Sequence, residues 1–246
     1  MFSFLFSQNI HIEKRIDYRK HYPEIKSPIA MNIHFLGNVL IGDDFANQVF
    51  AINPSTGRLL QASNNSNFSP LSNPLAIASD PLNIFVLDYD NQKLLRYDIH
   101  LRLLNVLNLE DISNFEDDAN IIFMIIDFKK EIYLLNDIDL SVTKLNDRNE
   151  IVQTFGGINS NLLEFRNISK FSPCGKGTFI TYDYEKQTLI KFGLTGNKIQ
   201  ELVITGEIID SCGNGDGWFI LLQTDQKLIL GRNKQLFGVQ KLPPLS

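Results

Sequence analysis

The sequence predicts an all-β fold: a β-propeller of about five four-stranded blades, with room for a sixth, closed with help from an N-terminal strand. Three observations carry this expectation. Five segments superpose, beginning at Gln48, Gln92, Leu140, Gln187 and, more weakly, Gln226, with starts 44, 48, 47 and 39 residues apart. That spacing is the period of a propeller blade. Apolar runs of strand length alternate with Gly, Pro, Asn and Asp clusters at intervals of about 8–12 residues. No stretch sustains the 3.6-residue apolar spacing of a helix.

The elements of each repeat follow in order. A first-strand candidate lies at 31–35, 75–79, 121–126, 168–171 and 207–212. A second apolar burst follows at 39–44, 84–88, 132–136, 178–183 and 218–223. Its unbroken apolar character suits a strand buried between neighbouring sheets. The superposed segments then supply two shorter strands around a polar turn, as at 53–57 and 193–197, where Gly, Pro and Asn meet the demands of a tight reversal. One four-stranded sheet cannot bury both its faces alone, so successive blades stack. Residues 1–28 form an N-terminal segment in which 10–18 reads as an extra strand, placed to cover the open edge of the last blade. The propeller fills 29–240 as a single domain, and 241–246 is a tail.

Composition is that of a globular protein, with 43% hydrophobic and 21% charged residues in 246, enough to build a sizeable core. A net charge of −5 and a pI near 5.4 lack the basic footprint of a nucleic-acid binder. No run reaches the ~18 apolar residues of a membrane span. The apolar start, Met1 to Gln8, has two readings. As a first strand or terminal segment it leaves the chain cytoplasmic as written; as the remnant of a signal peptide it places the chain outside the cytoplasm.

The second repeat, Pro74-Leu-Ala-Ile-Ala-Ser-Asp80 with Leu82-Asn-Ile-Phe-Val-Leu-Asp88 and Leu94-Leu-Arg-Tyr-Asp98, resembles the NHL repeat. Repeats one, three and four match in part. The fifth departs, with Gln223 in place of the Asp and Gly231-Arg232 in place of the aromatic-Asp pair. The resemblance spans roughly 29–240 and implies a propeller of the NHL or related six-bladed type. Such families hold scaffolds, protein- and RNA-binding modules and a minority of enzymes.

The recurring polar positions are Asp44, Asp88, Asn136 and Asp183, each closing a second strand. As a ring of oxygen ligands they would suit a divalent cation; as strand-end Asp and Asn they would bond the backbone of the following turn. Repetition in nearly every blade favours the structural role, since a site needs asymmetry. The inward Glu, Asn and Asp ligands of gluconolactonase-like propellers find no residue-by-residue match. His11, His21, His34 and His100 are scattered without metal-ligand spacing, and His34 reads as a packed strand residue. Gly175-Lys176-Gly177-Thr178 lacks the spacing of a phosphate loop, no Gly-x-Ser-x-Gly elbow occurs, and 213–217 reads as a hairpin turn.

Cys174 and Cys212 occupy related positions in consecutive repeats; they form a disulfide if the chain is exported, and otherwise stand as two free thiols. Acidic residues at 110–111 and 116–118 read as a solvated loop, and the Ser/Asn/Pro-rich stretch 64–74 as a loop able to overhang one face. The sequence thus points to a non-catalytic propeller that binds a protein partner or acts as a scaffold through loops on one face. No cofactor is expected, with a divalent cation such as calcium as the alternative. No nucleic acid and no transmembrane segment are expected, and the oligomeric state is open. The rival expectations are a metal-dependent propeller hydrolase or lyase and a small-ligand sensor.

Overall fold

The computed structural model describes residues 18–62, 71–112, 119–127, 129–175, 177–204, 208–213, 218–223, 227–232 and 235–241, with side chains described as far as Ile208. The described chain consists almost wholly of four-stranded antiparallel meanders. The first is β1 (Pro28–Ile33), β2 (Val39–Asp43), β3 (Gln48–Ile52) and β4 (Leu59–Gln61). The second is β5 (Pro74–Ser79), β6 (Asn83–Asp88), β7 (Lys93–Asp98) and β8 (Leu103–Asn108). The third is β9 (Ile121–Ile126), β10 (Ile132–Asn136), β11 (Ser141–Leu145) and β12 (Ile151–Gly156). The fourth is β13 (Ile168–Pro173), β14 (Thr178–Asp183), β15 (Thr188–Gly193) and β16 (Lys198–Val203).

The all-β propeller class holds, but the expected ring of about five blades, with room for a sixth and an N-terminal closing strand, does not stand in that form. Four four-stranded blades are described through to their side chains. Strands β17 (Ile208–Gly213), β18 (Trp218–Gln223), β19 (Lys227–Arg232) and β20 (Gln235–Lys241) pair as a further meander, of which essentially the backbone alone is described. Of the strand expected at 10–18, residues 10–17 lie outside the described residues, and Tyr18 opens a short helix, α1 (Tyr18–His21). The chain after it carries Pro23, which has no N–H to donate to a ladder, and enters β1 only at Pro28. Instead of pairing, this segment lays Tyr22 and Ile25 on Ile41, Phe50 and Ile52 of the first blade.

The described residues fall into two compact units: Ile16–Ile138 with Val142–Thr154, and Asp139–Ser141 with the chain from Phe155 onward. In the first unit two apolar layers hold the blades together. Leu40, Val49 and Ala51 meet Ile77, Val86, Leu95 and Tyr97, and the opposite face of the second blade, with Phe85, Leu87 and Leu94, meets Met124, Leu134 and Leu145. In the second unit Phe155, Phe165, Phe171 and Phe179 surround Phe192 at centroid separations of 5.6–6.0 Å.

Burial explains why the four strands differ in sequence. Second strands are buried on both faces, and β6 and β10 are buried along their whole length, so they read as continuous apolar runs. Fourth strands such as β12 and β16 alternate between half-buried and exposed, so polar residues interleave. Every first strand carries a register shift opposite the end of its second strand, at Pro28/Ala30, Pro74/Ala76, Ile168/Lys170 and Ile208/Asp210, with the matching shift at Leu135/Asn136 in the third blade. A bulge bends a strand, and here it turns the chain leading into each blade towards the second-strand end.

Candidate binding face

The recurring polar position sits at that bend, and in the first blade it is Asp43 rather than Asp44. Asp43 Oδ2 accepts from the main-chain N–H groups of Lys26 (2.6 Å) and Ser27 (2.7 Å), and Oδ1 from that of Ala46 (2.7 Å). Asp88 repeats the pattern, accepting from the N–H groups of Ser72 (3.2 Å) and Asn73 (3.0 Å) and from Asn91 Nδ2 (2.7 Å). Asp183 accepts from the N–H groups of Arg166, Asn167 and Lys186 at 2.8, 3.3 and 3.1 Å. In the third blade Asn136 holds Asn120 and Ile138 through one amide oxygen, at 3.0 and 3.2 Å. All four side chains are buried. Each one staples the lead-in of the first strand to the turn after the second, and its lone pairs go to main-chain donors, joined at Asp88 by the Asn91 side-chain amide.

The residue four places after each staple, Asn47, Gln92, Leu140 or Gln187, adopts a positive φ of 46–58°. It closes the same turn in every described blade, and the superposition of the first repeat is therefore one residue late. Asp44 lies exposed in the turn, with its N–H on the Ser27 carbonyl at 3.2 Å.

These turns collect at one end of the three-blade unit, where the first two also reach the lead-in of the next blade. The Asn47 side-chain amide lies against the Ser72 carbonyl. Gln92 Oε1 accepts from the Ile121 N–H at 3.0 Å, and Asn120 Nδ2 donates to the Tyr89 hydroxyl at 3.1 Å. Just beyond the staple, each turn presents one apolar or aromatic side chain beside one acid: Asp44-Phe45, Tyr89-Asp90 and Asp137-Ile138. Phe45 is 77% exposed and Ile138 53%. The fourth blade's turn repeats the pair as Tyr184-Glu185, both exposed. Sequence reading missed this display because it weighed only the recurring Asp and Asn, as ligands or as turn chemistry, and not the residues beside them.

Electrostatics beneath the face follow from burial. Burial, and then the Asp88 charge, push the Tyr97 phenol up to about 12. Further round, burial and then the nearby Glu131 raise the Asp127 carboxyl, outweighing donation from the Lys129 N–H, the Glu131 N–H and the Tyr133 hydroxyl. Lys144 pairs with Glu131 at 2.7 Å and lies over the Tyr133 ring.

In the other unit an open cleft of about 460 Å³ lies between the 158–164 segment and Lys186, Ile190, Lys198 and Glu201. Its charges are paired internally: Glu164 holds Lys186 (3.3 Å) and Arg166 (2.7 Å), and Lys198 meets Glu201 at 2.8 Å.

The other singled-out residues disperse. His34 is buried in the turn between β1 and β2, accepting the Leu36 N–H on Nδ1 at 3.2 Å. His100 is exposed, and His11 lies outside the described residues. Cys174 is buried; the Cys212 side chain lies outside the described residues. Of the expected loops, 64–70, 116–118 and 214–217 lie outside them too. Among the described residues no three His, Cys, Asp or Glu side chains group as a metal site, and no helix is long and apolar enough to cross a membrane.

Consecutive four-stranded meanders, stapled alike and packed face to face, define a β-propeller, and comparison with solved structures agrees. Virginiamycin B lyase from Staphylococcus aureus superposes with a TM-score of 0.64 at 12% identity, covering 89% of this chain and 71% of that one. The WD40 repeats of RRP9 give 0.62 at 11% identity, covering 87% and 79%. Hydrazine synthase from Kuenenia stuttgartiensis gives 0.60 at 10% identity, covering 94% and 67%. At these identities the likeness is one of fold. No family model and no curated protein matches the sequence.

Proposed function

We propose that this chain is a non-catalytic propeller module, of NHL-like character, that binds a protein partner through the second-to-third-strand turns on one face. The carrying observation is the division of labour at those turns. The recurring carboxylates are buried and bonded to main-chain N–H groups, while the next residues offer Phe45 and Ile138, and in part the half-buried Tyr89, to solvent, each beside an acid. Apolar side chains held on stapled turns lose little entropy on binding. The flanking acids favour a partner surface that mixes apolar and basic groups, and disfavour nucleic acid.

The test is affinity capture from the native source with the purified chain immobilised, with metal content assayed on the same preparation. A reproducible protein partner, bound at least about tenfold more weakly by a Phe45→Ser, Ile138→Ser double variant of unchanged melting temperature, supports the reading. A stoichiometric divalent ion with no partner would overturn it and favour the metal-dependent enzyme. The propeller fold itself accommodates both chemistries.

A further inference from the structure

The first strand of the first blade has an apolar stripe that nothing described covers. Ile29, Met31, Ile33 and Phe35 alternate along and just beyond β1, and are 41%, 72%, 68% and 78% exposed; Leu36 beside them is 58% exposed. The corresponding residues elsewhere behave differently. Met31 pairs with Ile41 as Ile77 pairs with Val86, Met124 with Leu134 and Phe171 with Thr181. Yet Ile77, Met124 and Phe171 are each only 6% exposed. Ile77 and Met124 reach that burial by packing on the preceding blade. In the first blade, Tyr22 and Ile25 cover this same sheet face over Ile41, Phe50 and Ile52, and the cover stops short of β1. Met31 and Ile33 thus stand at a position the fold uses for sheet-to-sheet contact.

We propose that this stripe is a self-association surface, and that its occupant is the same stripe of a second copy of this chain across a two-fold axis. Area supports the assignment. The five side chains expose on the order of 600 Å². A standard interface buries about 800 Å² per partner, and homodimer interfaces are about 65% apolar, which asks for roughly 520 Å² of apolar area on each side. Charge supports it as well. From Ser27 to Gly42 the sequence contains no Asp, Glu, Lys or Arg, so a two-fold contact brings no like charges together. The isologous geometry requires only that the stripe complement itself. This surface is separate from the turns assigned to partner binding.

Sedimentation velocity of the full chain from about 1 to 100 μM reads the association. The wild type is expected to be a dimer at the upper end. A Met31→Lys, Ile33→Lys variant should dimerise at least about 100-fold more weakly while its melting curve stays unchanged, because both positions are solvent-exposed in one copy. Mixing it with a Met31→Glu, Ile33→Glu variant should restore a dimer, which a contact made elsewhere would not do. A wild type that stays monomeric would overturn the proposal and leave the stripe to another part of the chain or to another protein. So would a dimer indifferent to the lysine substitutions, or lysine and glutamate variants that fail to pair.

Discussion

Replacing Asp88 measures what one staple contributes. Its carboxylate accepts from two main-chain N–H groups, Ser72 and Asn73, and from the Asn91 amide. Hydrogen bonds to a charged group are each worth about 1.5–3 kcal/mol, and a donor left unpaired in a buried place adds its desolvation cost. With Ala at 88 the two main-chain donors lose their partner, so Asp88→Ala should destabilise by about 3–5 kcal/mol. Asp88→Asn keeps one acceptor oxygen, the arrangement Asn136 already uses in the third blade, where one amide oxygen serves Asn120 and Ile138. Its cost should be about 1–2 kcal/mol. Urea unfolding followed by circular dichroism gives both values. Spectrophotometric titration adds a local readout: without the Asp88 charge, Tyr97 should ionise below its present value of about 12. An Ala variant within about 0.5 kcal/mol of the wild type would refute the staple reasoning, since the lead-in and turn would then hold themselves together.

Four further outcomes are expected. Burial raises the carboxyls of Asp80 and Asp98, but hydrogen bonds from Leu82 and Asn83 and from Arg102 and His100 outweigh it, and both end below the usual range. Acids depressed in the folded state bind protons more tightly when unfolded. Stability measured by urea midpoints against pH should therefore be fully present above about pH 4–5 and fall as pH drops through their folded pKa values, less steeply in Asp80→Asn. Asp127, whose pKa is raised, has the opposite sign, so Asp127→Asn should gain stability relative to the wild type as pH rises to neutrality. Burial pushes the Cys174 thiol up, so it should resist thiol reagents in native buffer and react promptly in denaturant; rapid native labelling at that position would contradict the burial. A Cβ at Gly42 would lie 2.5 Å from the Pro74 carbonyl oxygen and 3.2 Å from Ala30 Cβ. Gly42→Ala should therefore force the first two blades apart at a cost of about 1–3 kcal/mol, read as a lowered melting temperature.

Much of the architecture is local and so was legible in the sequence. Second strands buried on both faces must be apolar throughout, and runs such as Ile84 to Leu87 announce themselves. Turns that need a positive φ or a side-chain acceptor recruit Asn, Asp and Gly, so the repeat period shows through divergence of every other position. The staple type was legible for the same reason, but its register in the first blade was not. Asp43 and Asp44 are chemically identical neighbours, and only the bulge opposite Asp43, which aims the Lys26 and Ser27 N–H groups at it, distinguishes them. Of the strand expected at 10–18 only Tyr18 lies among the described residues, where it opens α1; the Tyr22 and Ile25 that follow act as a cover on Phe50, a role their apolar character alone does not distinguish from that of a strand.

Exposure lies furthest from the sequence. Ile29, Met31, Ile33 and Phe35 carry the alternation of any half-buried strand, and Phe45 and Tyr184 look like core aromatics beside a conformational turn. Whether such side chains meet a neighbouring sheet depends on what packs there, and that is a property of the assembled blades. The sequence by itself determined the strands, their order and the chemistry of the turns, because backbone hydrogen bonding and dihedral preference act over a few residues. Only the tertiary structure decided which carboxylates are spent on N–H groups and which apolar side chains remain uncovered, because burial is set by residues tens of positions away.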